Sequence, residues 1–255
     1  MDEEPKKAKV KPKDFYGCID WLPRLGENKN EKIQDNHIGW LQDHHNLHSS
    51  SWNVYEIERL HSLTYTPQRA DIVGLNKLKI VSLVAKWPFL FKTNWFLHHF
   101  KTLTGVDIAF IFEENLKMKS TIIVKFLQHK KEMQQVMNEM SLVGQGHMLA
   151  PLVTAILGIC QFFKESSKFL FHQTVEHANA DDIEKDITFP LSPCIVFAGT
   201  CIFKCNSFHL VVDLHVIIDN LANPLLALVV LFSAYYVLNV GYPVEIAATL
   251  GFLQR

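Results

Sequence analysis

Between Asp219 and Glu245 the chain runs through 25 consecutive residues without a formal charge, and no other stretch constrains the fold as much. Its centre, ANPLLALVVLFSAYYVLNV at 222–240, is long enough as a helix to cross a bilayer, for which about 20 apolar residues suffice. Such a segment must be taken out of water by lipid or by the rest of the protein. The flanks argue against lipid: no Lys or Arg stands at either end, the nearest being Lys204 and Arg255, whereas cationic residues usually flank a span. The segment also holds Pro224, and Asn223, Asn239 and the adjacent Tyr235 and Tyr236 add polar groups that ask for protein partners. The residues therefore predict a buried core helix from Pro224 to Val240, with a single-pass anchor at 222–240 as the alternative. In the core reading Leu226, Val229, Val230, Ser233, Tyr236 and Val237 face a small sheet, while Tyr235 and Asn239 find hydrogen-bond partners at its edge.

A core helix needs a body around it, and 255 residues bury about three quarters of the surface of their unfolded form, without help from disulfides or metals. Hydrophobic residues make up 48% and charged residues 20%, with mean hydropathy +0.06, which excludes wholesale disorder, collagen, a coiled-coil rod and a polytopic membrane protein. The net charge of −1 leaves no global field for nucleic acid or anionic lipid, so either would need a local patch. Five cysteines, an odd number spread along the chain, are not a disulfide framework and are expected to be reduced. The amino terminus has no apolar run of the signal-peptide kind and the sequence no Asn-x-Ser/Thr acceptor, so secretion is not expected.

Composition changes along the chain. Residues 1–14, MDEEPKKAKVKPKD, are too poor in apolar side chains to order and read as a disordered basic tail. Residues 15–177 form the first globular part. Over 15–53, Tyr16, Trp21, Trp40 and Trp52 punctuate polar chain, read as loop with short helices pinned to a body elsewhere. From Val54 a helical period takes over, with Thr66 capping a new helix at Pro67. Residues 120–140 place Ile122, Phe126, Met133, Val136 and Met140 on one stripe, expected to face the core, and 148–171 read as a buried helix after a break at Gly144 and Gly146. Trp87 and Phe91 are expected core anchors.

The acidic run at 178–186 is the expected boundary to a smaller α+β region at 187–255, where CIVFAG (194–199) and FHLVVDLHVIID (208–219) read as strands and Tyr242 and Pro243 open a last helix. The fold class predicted is α+β, mainly α: a helical body, then a sheet of two or three short strands covered by C-terminal helices. No internal repeat occurs, which excludes solenoids and propellers.

Eight blocks stand in a recognisable order: YGCIDW (16–21), LTYTPQRADIV (63–73), KWPFLF (86–91), HFKTLTG (99–105), PCIVFAG (193–199), FHLVVDLHVI (208–217), YYVLNVGYP (235–243) and LGFLQR (250–255). Together they resemble a group of mostly uncharacterised animal proteins often labelled sterile alpha motif domain-containing protein three-like. The shared region is not the sterile alpha motif itself, and the resemblance implies no assigned activity; the many copies imply spread with mobile elements. Members usually carry methionine at His61, asparagine at Val73 and glutamate at Gly251, and continue past Arg255, which implies a shortened copy whose last helix is partly uncovered.

Chemical motifs are sparse. Lys6, Lys7, Lys9, Lys11 and Lys13 in PKKAKVKPK match an extended basic import peptide that an acidic receptor groove would take, with a plain solubilising tail as the alternative; direct nucleic-acid contact is disfavoured by the lack of interleaved aromatics. His37, His44, His45 and His48, and Cys201-x3-Cys205-x3-His209, lack the paired spacing of structural zinc, so no metal or cofactor is expected. Nucleophile-elbow, phosphate-loop, dinucleotide and zinc-protease motifs are absent. Read as one strand, 208–219 puts His209, Asp213 and His215 on one face and Leu210, Val212, Leu214 and Val216 on the other, the pattern of a half-exposed strand rather than of an acid/base site. The functional expectation is a non-enzymatic interaction module, nuclear or cytosolic, with a protein partner; the alternatives are the membrane anchor and a nucleic-acid binder using the tail.

Overall fold

The computed structural model describes residues 18–19, 21–23, 31–141, 149–176, 178–186 and 188–255; the lysine-rich tail and the Gly144 and Gly146 break lie outside these. In chain order the described residues form α1 (Glu31–His45), α2 (Val54–Leu63), α3 (Tyr65–Val73), α4 (Ile80–Lys86), α5 (Thr93–Thr104), α6 (Ile108–Leu127), α7 (Gln134–Ser141), α8 (Ala150–Phe163), β1 (Phe171–Thr174), α9 (Ala180–Glu184), β2 (Cys194–Ala198), β3 (Phe208–Val212), β4 (His215–Leu221), α10 (Pro224–Val237) and α11 (Ala247–Leu253). The fold is α+β and mainly α.

Local chemistry sets many of the helix ends. Asn53, Asp107 and Asn223 accept from the Glu56, Phe110 and Leu226 amides and so satisfy first-turn donors of α2, α6 and α10. Gly105 (φ +74°) closes α5 in the left-handed region that glycine enters without strain. Lys164 (φ 60°) ends α8, and the Glu165 amide donates back to the Cys160 carbonyl at 2.9 Å. That reversal ends the helix expected to run to residue 171, and Phe171 instead opens a strand. Thr64, not Thr66, is the junction between α2 and α3.

The sheet has four strands in the order β1-β2-β3-β4. β1 and β2 are parallel, with Phe171 opposite Ile195 and Gln173 opposite Phe197, so the chain between them is a crossover. The boundary expected at 178–186 falls inside that crossover, on α9. Asp213 and Leu214 both take positive φ (51° and 66°) and make a two-residue turn between β3 and β4, which pair antiparallel. The 208–219 segment is therefore a hairpin rather than one strand: His215 pairs with Val212 and shares its face, opposite the face of His209. Nor is β3 half-exposed. Phe208, Leu210 and Val212 join the main core, while Val211 packs with Cys194, Val196, Ile183 and Phe189 beneath α9.

α10 lies in the middle, against α5, α6 and α8 and against β2, β3 and β4. Val230, Ala234, Tyr235 and Val237 are fully buried, and the Tyr235 hydroxyl donates to the Pro193 carbonyl at 3.0 Å. The buried Arg69 on α3 donates to the Val237 carbonyl and to the Ile19 carbonyl, each at 2.8 Å, and so caps α10 where the helix runs out of its own donors. The expected partner of Asn239 is not found; its buried side-chain oxygen accepts no hydrogen bond. At 14 residues α10 is shorter than expected, and no helix among the described residues is long and apolar enough to cross a membrane.

A second core of Leu41, Ile57, Leu60, Phe89 and Trp95, with Trp40 and Trp52 against it, holds α1 and α2 to the body. The region expected to be loop with short helices thus contains a 15-residue helix, and its tryptophans Trp40 and Trp52 are the anchors. Trp87 and Phe91 are both buried, Trp87 as the cap of α4, its indole donating to Asp71 at 2.7 Å.

Candidate docking groove

α6 is apolar over more of its circumference than one buried face requires. Ile108, Phe112, Leu116 and Leu127 point into the core, while Ile111, Met118, Ile122 and Phe126 lie on a neighbouring stripe in solvent, Ile122 at 68% and Phe126 at 62% exposure. This corrects the expectation that Ile122 and Phe126 face the core with Met133 and Val136. α6 ends at Leu127 and the chain turns at 128–130 before α7, so one helical period does not run through 120–140. Met133 and Val136, on the far side of the turn, are buried as expected.

The wall opposite α6 is α8. The two approach closely because Gly158 has no side chain: a Cβ there would stand 2.7 Å from the Leu127 Cδ1 and 2.8 Å from the Met133 Cε. α11 closes the same side. Its first turn is held by Glu165, whose two carboxylate oxygens accept from the Ala248 and Thr249 amides, both at 2.8 Å. Two hollows result, of about 300 and 360 Å³. Ile123, Ile159 and Phe252 line both, so they form one groove along α6. The hollow at the carboxyl end of α6 is walled by Phe126, Phe162 and Phe163, with Phe126 and Phe162 ring centres 6.1 Å apart. The other reaches Phe112, Phe232 and Tyr236, below a chain in which Tyr236 and Tyr242 share a hydrogen bond at 3.1 Å and Tyr242 donates to Gln254 at 3.3 Å. Burial raises both phenols above their ordinary range.

The rim is basic. Lys119 and Arg255 line the groove, and Lys130 sits 5.9 Å from the Phe126 ring centre. Among the described residues Lys119, Lys125 and Lys130 make no ion pair, whereas Glu113 and Glu114 are both taken up by Lys117, at 2.7 and 3.7 Å.

The other polar candidates are dispersed or internal. His44 stacks on Trp40 and hydrogen-bonds its carbonyl at 2.8 Å, His45 packs on Trp52 and Phe89, and His48 bonds Ser50. His209 contacts Ser207, while His215 lies 3.6 Å from Glu184 beyond the hairpin turn. Cys205 donates to the Ala198 carbonyl. No three His, Cys, Asp or Glu side chains among the described residues converge as metal ligands would. Burial pushes the Cys160 and Cys194 thiols up to about 12, so neither is a ready nucleophile. The largest buried polar cluster joins α2, α3 and α5: His99 bonds Gln68 at 3.1 Å, and Gln68 bonds Thr64 and the His61 carbonyl. Burial lowers His61 to about 3, and burial with His61, Arg69 and His98 nearby takes His99 well below its ordinary range. Both rings are neutral spacers in the core.

Sequence reasoning missed the groove, although a signal existed: twelve of the twenty residues of α6 are apolar, too many for a single buried stripe. Comparison with protein-family models, with curated proteins and with solved structures finds no match to this chain.

Proposed function

We propose that this chain is a non-enzymatic interaction module, nuclear or cytosolic, of the mobile-element-associated family that its eight sequence blocks resemble, and that a partner protein docks in the α6–α8–α11 groove. The carrying observation is the continuous exposed apolar surface of Ile122, Phe126, Phe162 and Phe252 around a groove without polar lining at its Phe126 end. α10, which holds most of the alternative membrane anchor, is buried by protein at every residue except the partly buried Leu226, which favours the module over the anchor. The lysine run Lys6, Lys7, Lys9, Lys11 and Lys13 supports a nuclear import receptor as a second contact.

A photoreactive amino acid at position 122 tests the docking reading. In cells it should give a discrete cross-linked adduct, absent when the same group is placed at exposed Lys77; no adduct at 122 rejects the reading. Alanine at Lys6, Lys7 and Lys9 should redistribute a large fluorescent fusion out of the nucleus, and an unchanged nuclear signal removes the import receptor from the proposal.

A further inference from the structure

We infer that the occupant of the groove is an amphipathic helix from another protein, with apolar residues at helical spacing and acidic residues along its flanks; this rests on the docking reading above. The first argument is shape. The exposed stripe from Ile111 to Phe126 covers fifteen steps of α6, about 22 Å at 1.5 Å per residue, which is the length of a four-turn helix. Its walls are themselves helices, and a helix laid among helices seats its side chains between their ridges. The free sheet edges, β1 and β4, are not among the groove's walls, so strand addition does not serve this site.

The second argument is charge. Lys119, Lys125 and Lys130 border the stripe without an ion pair among the described residues, and Glu113 and Glu114, at the amino-terminal end of the stripe, are engaged by Lys117. Glutamates or aspartates flanking an incoming apolar face would complete these cations; lysines would be repelled. This excludes the chain's own tail, whose PKKAKVKPK run is basic and almost without apolar side chains. It also disfavours a second copy. Two α6 stripes crossed antiparallel about their middle bring Lys119 against Lys119, while Glu113 and Glu114 are already paired within their own helix.

The test uses the full chain and two labelled sixteen-residue helical peptides. Both carry leucine and phenylalanine at positions 1, 5, 8 and 12; one has glutamate at the flanking positions and the other lysine. Fluorescence anisotropy should show the glutamate peptide binding about tenfold or more tightly than its twin at low salt, the gap narrowing as salt rises. The variant Lys119→Glu/Lys125→Glu/Lys130→Glu, altered only at exposed side chains, should reverse the preference while keeping its thermal midpoint, and Ile122→Ser should weaken both peptides. Equal binding of the two peptides, or preference for lysine, overturns the acidic partner while an adduct at position 122 keeps the docking reading. Self-association that Ile122→Ser abolishes overturns it in favour of a second copy. No binding of either peptide overturns it too, and if position 122 also gives no adduct the docking reading falls with it.

Discussion

α10 and α6 lie against each other, and they treat their apolar residues in opposite ways. α10 is apolar around its whole circumference and is covered by helices on one side and by the sheet on the other. α6 is less apolar, yet it leaves Ile122 and Phe126 in water while Phe112 and Leu116, on its adjoining face, are buried. Hydrophobicity alone therefore does not rank the two by burial. A helix placed centrally has neighbours all round; a helix on the periphery has them on one face, and whatever apolar surface it carries beyond that face is left to solvent or to a partner.

The contrast predicts a graded set of responses. Val230→Asp, in the enclosed face of α10, should cost about 5 kcal/mol or more, because an unpaired carboxylate would replace a side chain with no exposure. Loss of cooperative unfolding and aggregation on expression are the expected readouts; a folded, soluble variant would show that α10 is not enclosed. Trp87→Ala should cost about 3 to 5 kcal/mol, removing a buried indole and one of the two partners of the Asp71 carboxylate, which keeps Lys86 at 2.8 Å, and a lowered thermal midpoint measures it.

Acid should act on the buried histidines of α2 and α5. His61 and His99 are depressed in the fold, so below the ordinary value of about 6.5 the unfolded chain takes up protons that the folded chain refuses, and stability falls as pH drops. For His61 the loss should reach about 1 kcal/mol at pH 5.5 and continue until its folded pKa of about 3 is reached, and His99 adds to it in the same direction. His61→Met should reduce the slope of the urea midpoint against pH; an unchanged slope would place His61 in contact with solvent. Ile122→Ser, in the exposed stripe of α6, should shift stability by no more than about 0.5 kcal/mol. A loss as large as that of Trp87→Ala would mean that this stripe is covered within the chain itself, and the contrast between the two helices would disappear.

Much of the architecture was legible wherever one residue carries its own instruction. Pro224 announces the start of α10, because its fixed φ and missing amide suit the first turn of a helix. The expected loop over 15–53 missed α1, whose apolar residues are few and whose stability comes from Trp40 and Leu41 packing on a distant Phe89 and Trp95. β1 was hidden by the apolar run before it: nothing within FHQT marks a strand until CIVFAG, more than twenty residues on, offers it a parallel partner. The one-strand reading of 208–219 failed because Asp213 and Leu214 turn without glycine, at two positions where L-residues rarely sit. For the groove, the surplus of apolar residues on α6 was visible, but the stripe left outside was not.

By itself the sequence determined that 222–240 must be hidden and that the body is mainly helical with a small sheet, since these follow from composition and from patterns within a few residues. The tertiary structure alone decided who hides α10, on which side of the crossover the first strand lies, and which of the two apolar stripes of α6 stays exposed. Those outcomes depend on what stands opposite each face. Contacts such as Arg69 with the Val237 carbonyl, 168 residues apart, have no local signature, and burial is a property of neighbours rather than of the residue buried.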